Sequence, residues 1–279
     1  MQDYVSYPYP IQDIENRIAQ YEQHSLKYFT NEQQAYRFLI NCIDLTTLEG
    51  SDNKLKIEQL CEKAKSMIDM KRGLEGTAAV CVYPPFIAQC KELLAYTPIK
   101  VASVAGAFPA GQSPLYIKVS EVRYALEEGA DEIDMVISRG KFLEGNYQEV
   151  FDEIATIKHV CGEKTLKVIL ETGELGDYNN IYIASQLAIE AGANFIKTST
   201  GKISVNATPQ SFLVMLDAIA EHYKETGQMV AIKPAGGIAD AETAILFLKI
   251  LENVLGERWL NNQYFRIGAS RLADKLTSF

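Results

Sequence analysis

Histidine is scarce in this chain: there are three among 279 residues, and His24, His159 and His222 lie far apart. A zinc centre draws on clustered His, Cys, Asp or Glu ligands, so no metal site is expected. The five cysteines (Cys42, Cys61, Cys81, Cys90 and Cys161) form no CxxC pair and are odd in number. Reduced thiols in a cytoplasmic protein are the simplest reading. No apolar run approaches the roughly 20 residues that span a membrane. The N-terminal segment MQDYVSYPYPIQDIENRI also lacks a charged start followed by an apolar stretch, so it does not read as a signal peptide. Concentrated Lys/Arg runs are missing too. The net charge is -9 and the pI about 5.0, so neither nucleic acid nor an anionic membrane is an expected partner. Low-complexity tracts, linkers and short repeats are absent, so one domain is enough.

Hydrophobic residues make up 47% and charged residues 23%, the balance of an ordinary globular protein. Short β-rich runs alternate with longer amphipathic segments. The runs are FLINCIDLTT (38–47), TAAVCVYP (77–84), KVASVAGAFP (100–109), EIDMVIS (132–138), LKVILETG (166–173), NFIKTST (194–200), MVAIKPAGG (229–237) and YFRIGAS (264–270). Segments 56–68, 120–130, 147–161, 180–193, 209–227 and 241–256 carry apolar residues at helical spacing. A strand followed by a helix, repeated, predicts parallel βαβ units. Eight such units fit the size of a (β/α)8 TIM barrel of the α/β class, typically about 250 residues. The alternative, an open doubly wound sheet, usually shows GxGxxG after its first strand, and IDLTTLEG is unlike that. Residues 1–35 are expected to form an N-terminal helical extension packed outside the barrel, and 36–279 the catalytic domain.

In such a barrel the chemistry stands at the C-terminal strand ends and in the loops that follow them. Asp134, Lys197 and Lys233 are charged residues set inside apolar runs, and side-chain alternation points them into the barrel mouth. Neighbouring strands six and seven bring the two lysines near each other. A lysine beside a second cation in a dry pocket loses its proton readily. Its neutral amine then attacks carbonyls to form a Schiff base. Spacing alone does not say which lysine is nucleophile and which is perturber. Asp134 pairs with either lysine or shuttles protons. The competing reading is a structural ion-pair network filling the barrel. STGK, AGGI and GAS place glycines at adjacent strand ends, a setting for phosphate on backbone N–H groups, with Lys202 and Ser270 as added contacts. Cys81 reads as core, and Glu171 as a structural partner at the end of strand five.

Taken together these windows resemble the 2-deoxyribose-5-phosphate aldolase family. The similarity runs from about residue 38 to 272 and rests on DLTTL (44–48), VCVYP (80–84), EIDMVI (132–137), LKVILETGEL (166–175), AGANFIKTSTGK (191–202), VAIKPAGGI (230–238) and FRIGAS (265–270). The resemblance implies a class I Schiff-base aldolase without metal or cofactor. It implies 2-deoxy-D-ribose 5-phosphate, acetaldehyde and D-glyceraldehyde 3-phosphate as small-molecule partners, a role in deoxyribonucleoside catabolism, and a homodimer. It assigns the imine to Lys197, its tuning to Lys233 and proton relay to Asp134. Asp44 and Thr46 would line the substrate pocket. Thr200, Gly201, Lys202, Gly236, Gly237, Gly268 and Ser270 would hold substrate and phosphate. This chain departs from the family pattern at Glu49, Ala239 and Arg271, and it ends in Phe279 where some members place a tyrosine.

Overall fold

A computed structural model describes residues 4–277 of the chain, so the expectation attached to Phe279 lies outside the described residues. Eight parallel strands form one sheet. Numbering the barrel strands alone, these are β1 (Ile43–Thr46), β2 (Ala79–Val82), β3 (Lys100–Ala105), β4 (Glu132–Val136), β5 (Thr165–Ile169), β6 (Phe195–Lys197), β7 (Ala231–Lys233) and β8 (Ile267–Ala269). From β1 to β7 each pairs with the next, and β1 pairs with β8. The remaining gap, between β7 and β8, is spanned by bridges Ile232–Phe265 and Ala235–Gly268. The result is the expected TIM-barrel fold. Both faces of each strand are covered, which is why the runs read as nearly continuous apolar sequence.

The outer ring follows from helical spacing. It contains α1 (Ile11–Gln23), α2 (Glu32–Asn41), α3 (Lys54–Ser66), α4 (Ile87–Leu93), α5 (Leu115–Glu127), α6 (Arg139–Leu143), α7 (Tyr147–Cys161), α8 (Tyr178–Glu190), α9 (Pro209–Thr226), α10 (Ala241–Val254) and α11 (Leu272–Leu276). In α7, Val150, Ile154, Ile157 and Cys161 are buried, a stripe at i, i+4, i+7 and i+11. Caps fix where the loops hand over to helices. Thr208 and Ser211 form a reciprocal box at the start of α9, and Asp240 accepts from Thr243 N at 2.8 Å at the start of α10.

The N-terminal segment differs from the single helix expected. It holds α1, and α2 runs across residue 35, so that boundary falls inside a helix. The run 38–47 is therefore helix up to Asn41 and strand only from Ile43. The cause lies upstream: Asn31 caps α2 by accepting from Gln34 N, and Ala35 and Leu39 are buried one helical turn apart. A short apolar run does not by itself separate buried helix from buried strand. α1 lies on α9 and α10 through Ile14 and Ile18. Arg17 grips Asp217 of α9 with two bonds of 2.7 Å, and Tyr7 Oη donates to the same carboxylate at 2.6 Å. A small antiparallel hairpin (68–69 with 74–75) and the short helices α4, α6 and α11 are further elements the periodicity did not mark. No helix among the described residues is long and apolar enough to cross a membrane.

Candidate active site

Lys197 ends β6, and Lys233 ends β7 directly opposite in register. Asp134 stands in β4, opposite Lys167 of β5. The pleat sends all four inward. Asp134 Oδ2 accepts from Lys197 Nζ at 2.8 Å and from Lys233 Nζ at 2.7 Å. Its Oδ1 accepts from Lys167 Nζ at 2.8 Å. One carboxylate thus joins three lysines. Lys233 also donates to Asp44 Oδ2 at 2.5 Å. Below them Arg266 donates to Asp44 Oδ1 at 2.7 Å and to Glu132 Oε1 at 3.0 Å, and Lys167 meets Glu132 Oε2 at 2.5 Å.

Burial and charge separate the two lysines that the sequence left interchangeable. Burial pushes the Lys197 ammonium down, Asp134 draws it back, Lys233 pushes it down again, and the net direction is down. Burial also pushes Lys233 down, but Asp134 and Asp44 more than offset it, so Lys233 is held above the ordinary lysine value. Burial alone would raise both carboxyl groups. Lys233, Lys167 and Arg266 instead hold Asp44 below the usual range, and Lys167, Lys197 and Lys233 hold Asp134 well below it. The surroundings thus hold the proton on Lys233 more firmly than on an ordinary lysine and the proton on Lys197 less firmly.

Above this network a cavity of 440 Å³ opens at the C-terminal strand ends. Of the basic groups in the network, Lys197 alone lines it. The other predicted positions around it are Thr46, Thr200, Gly201, Lys202, Gly236, Gly237, Gly268 and Ser270. Asp44, expected on the wall, is instead fully buried one layer lower, as the partner of Lys233 and Arg266. Lys233 and Asp134 also lie beneath the wall, with no exposed surface. Lys56 and Arg271 add positive charge to the cavity, while Lys202 Nζ reaches Glu49 at 2.8 Å across its mouth.

The loops around the cavity hold one another. Glu171, at the end of β5, accepts from Thr200 N at 3.0 Å and from Thr200 Oγ1 at 2.5 Å, which is the structural role expected for it. Thr198 Oγ1 accepts from Ala235 N at 2.9 Å, tying the β6 loop to the β7 loop. Gly236 and Gly237 both have φ of +80°, a left-handed conformation that favours glycine, and a Cβ on Gly236 would lie 2.6 Å from the Asn206 side chain. Two successive residues of this kind turn the chain toward the start of α10.

Residues 38–257 match the DeoC/LacD family of aldolases. The deoxyribose-phosphate aldolase of Bos taurus is 46% identical over 243 residues, covering 84% of this chain and 76% of that protein. The one from Homo sapiens is also 46% identical, over 247 residues, covering 85% of this chain and 78% of the relative. The chain belongs to the DeoC/LacD aldolase family. The deoxyribose phosphate aldolase of Aeropyrum pernix, described as a tetramer, superposes with a TM-score of 0.65 at 25% identity, covering 96% of both chains.

In this aldolase the sequence reading found the upper part of the network and missed the lower part. Glu132, Lys167 and Arg266 are buried members that it did not single out. The signal was present. Glu132 is two residues before Asp134, Lys167 is inside LKVIL, and Arg266 is inside YFRIGAS. Each is charged and falls in a run otherwise rich in apolar residues. Cys81 takes the core role expected of it. It is fully buried with Sγ 4.0 Å from Asp134 Oδ2, and burial first and Asp134 second push its thiol up to about 11.

Proposed function

We propose that this protein is a deoxyribose-phosphate aldolase that works through a Schiff base on Lys197. It interconverts 2-deoxy-D-ribose 5-phosphate with acetaldehyde and D-glyceraldehyde 3-phosphate. One observation carries the assignment: Lys197 is the basic group of the buried network that meets the cavity, and its surroundings favour the neutral amine. The amine attacks C1 of the open-chain sugar, and water leaves as the iminium forms. Removal of the C3 hydroxyl proton then breaks the C2–C3 bond. Its electron pair moves onto the iminium and leaves an enamine on Lys197. D-glyceraldehyde 3-phosphate departs, C2 takes up a proton, and hydrolysis of the imine releases acetaldehyde.

Asp134 is assigned the proton relay, because its Oδ2 already touches the Lys197 amine. Lys233 is assigned the tuning charge. Asp44 supports Lys233 from below, and Thr46 and Thr200 shape the wall. The phosphate is placed against the backbone of Gly201, Gly236, Gly237 and Gly268, with Lys202 and Ser270 beside it, a setting helped by the start of α10. Deoxyribonucleoside breakdown in the cytoplasm is the physiological setting we infer. We infer a homodimer as well, supported by Leu115, Tyr116, Ile117 and Tyr124, which stand exposed on α5. Light scattering that returned a monomer would reject the dimer.

The mechanism is tested by borohydride reduction in the presence of acetaldehyde, followed by peptide mass mapping. An ethyl group on Lys197 is the expected product. An adduct on another lysine, or none on folded protein, rejects the assignment. Lys197→Ala should abolish turnover, and EDTA should leave the parent rate unchanged.

A further inference from the structure

Three buried charged groups, Glu132, Lys167 and Arg266, have no task in the scheme above, although taking each out of water costs several kcal/mol. The charge balance of the whole cluster gives them one. It contains three carboxylates, Asp44, Glu132 and Asp134, and four basic groups, Lys167, Lys197, Lys233 and Arg266. Arg266 is permanently charged. Lys167 and Lys233 are each held by two carboxylates at 2.5–2.8 Å. Three fixed cations therefore match three carboxylates, and a proton on Lys197 would be the one uncompensated charge.

The geometry points to Arg266 and Glu132 as positioning residues that set this balance and so keep the Lys197 amine neutral. Arg266 occupies Asp44 Oδ1 and both oxygens of Glu132, which would otherwise draw a proton toward the lysines. Glu132 opposes it by adding negative charge beside Lys167. The other groups facing the cluster add no charge. β2 contributes the neutral thiol of Cys81, β3 contributes Ala102 and Val104, the register partners of Cys81 and Asp134, and β6 contributes the Phe195 ring, lying 5.9 Å from Lys167 and 5.7 Å from Arg266. The inference rests on Lys197 being the reacting amine.

The test is competitive acetylation of Lys197 over a pH series, read by peptide mass mapping, together with the pH profile of kcat/KM. Acetylation reports the proton on Lys197 whether or not the enzyme turns over. Arg266→Met should move the midpoint and the acid limb to higher pH by about one pH unit, a loss of ~10-fold on that limb. Glu132→Gln should move both to lower pH, and Arg266→Lys should leave them in place. The double variant Arg266→Met/Glu132→Gln removes one charge of each sign and should restore the parental midpoint, so the proposal stays testable even if a single variant fails to fold. Midpoints that stay put, move together, or stay displaced in the double variant overturn it. A normal Lys197 titration combined with turnover surviving in Lys197→Ala would instead overturn the Schiff-base reading.

Discussion

At the scale of single residues, two lysines one strand apart are driven in opposite directions by the number of carboxylates each one touches. Lys233 has Asp44 and Asp134, while Lys197 shares Asp134 with two competitors. Replacing Lys233 with Met removes a neighbouring positive charge and frees Asp134 to hold a proton on Lys197. Both changes raise the Lys197 value, so the acid limb of kcat/KM should move to higher pH. Below the limb, each pH unit of that movement lowers the rate ~10-fold. A profile that kept its limb while losing only amplitude would deny Lys233 its tuning role. The two lysines and Asp134 were legible because each interrupts an apolar run. Glu132, Lys167 and Arg266 fall in apolar runs as well, but each stands within the first three residues of its run. A charge so near the start of a run can equally be a solvated strand end, so the signal was weaker than at Lys197 and Lys233, and barrel closure decides that these three face inward.

At the scale of elements, the long helices were legible because a buried face repeats every 3.6 residues, as in α7. The short helices α4, α6 and α11 have too few turns for that period to stand out. The first strand was misplaced because capping by Asn31, not hydrophobicity, decides that 38–41 continue a helix. The cavity loops are held by contacts between elements distant in sequence, such as Glu171 with Thr200 and Asn206 with Gly236, and local pattern says nothing of these. Gly236→Ala tests that packing. Its Cβ would meet Asn206 at 2.6 Å in a left-handed backbone, so the variant should lose about 1–3 kcal/mol in urea unfolding. Because the loop lines the cavity while Lys197 lies on another strand, KM should rise several-fold with kcat largely kept. Unchanged stability and KM would remove the steric argument for glycine at this turn.

At the scale of the whole molecule, the charged core that suits the chemistry works against folding. The unfolded chain carries a protonated Lys197, whereas the folded barrel favours the neutral amine. The folded value lies below the ordinary 10.5. Between the two values the unfolded state binds more protons, so this group makes stability rise with pH. Below the folded value its deficit is complete. Asp44 and Asp134 act in a separate window. Their folded values lie below 3.8, so their contribution is full above that pH and fades as pH falls further. Replacing Lys197 with Met removes the deficit and leaves three carboxylates facing three cations. The variant should melt above the parent at neutral pH, by ~2–4 °C for each kcal/mol relieved. The advantage should shrink as the pH approaches 10.5, where the parent no longer loses a proton on folding. Thermal unfolding of both proteins from about pH 6 to about pH 10 makes the comparison. An advantage that grew with pH, or a variant less stable than its parent throughout, would mean that Lys197 is buried as a cation, and both the nucleophile and the balance beneath it would have to be abandoned.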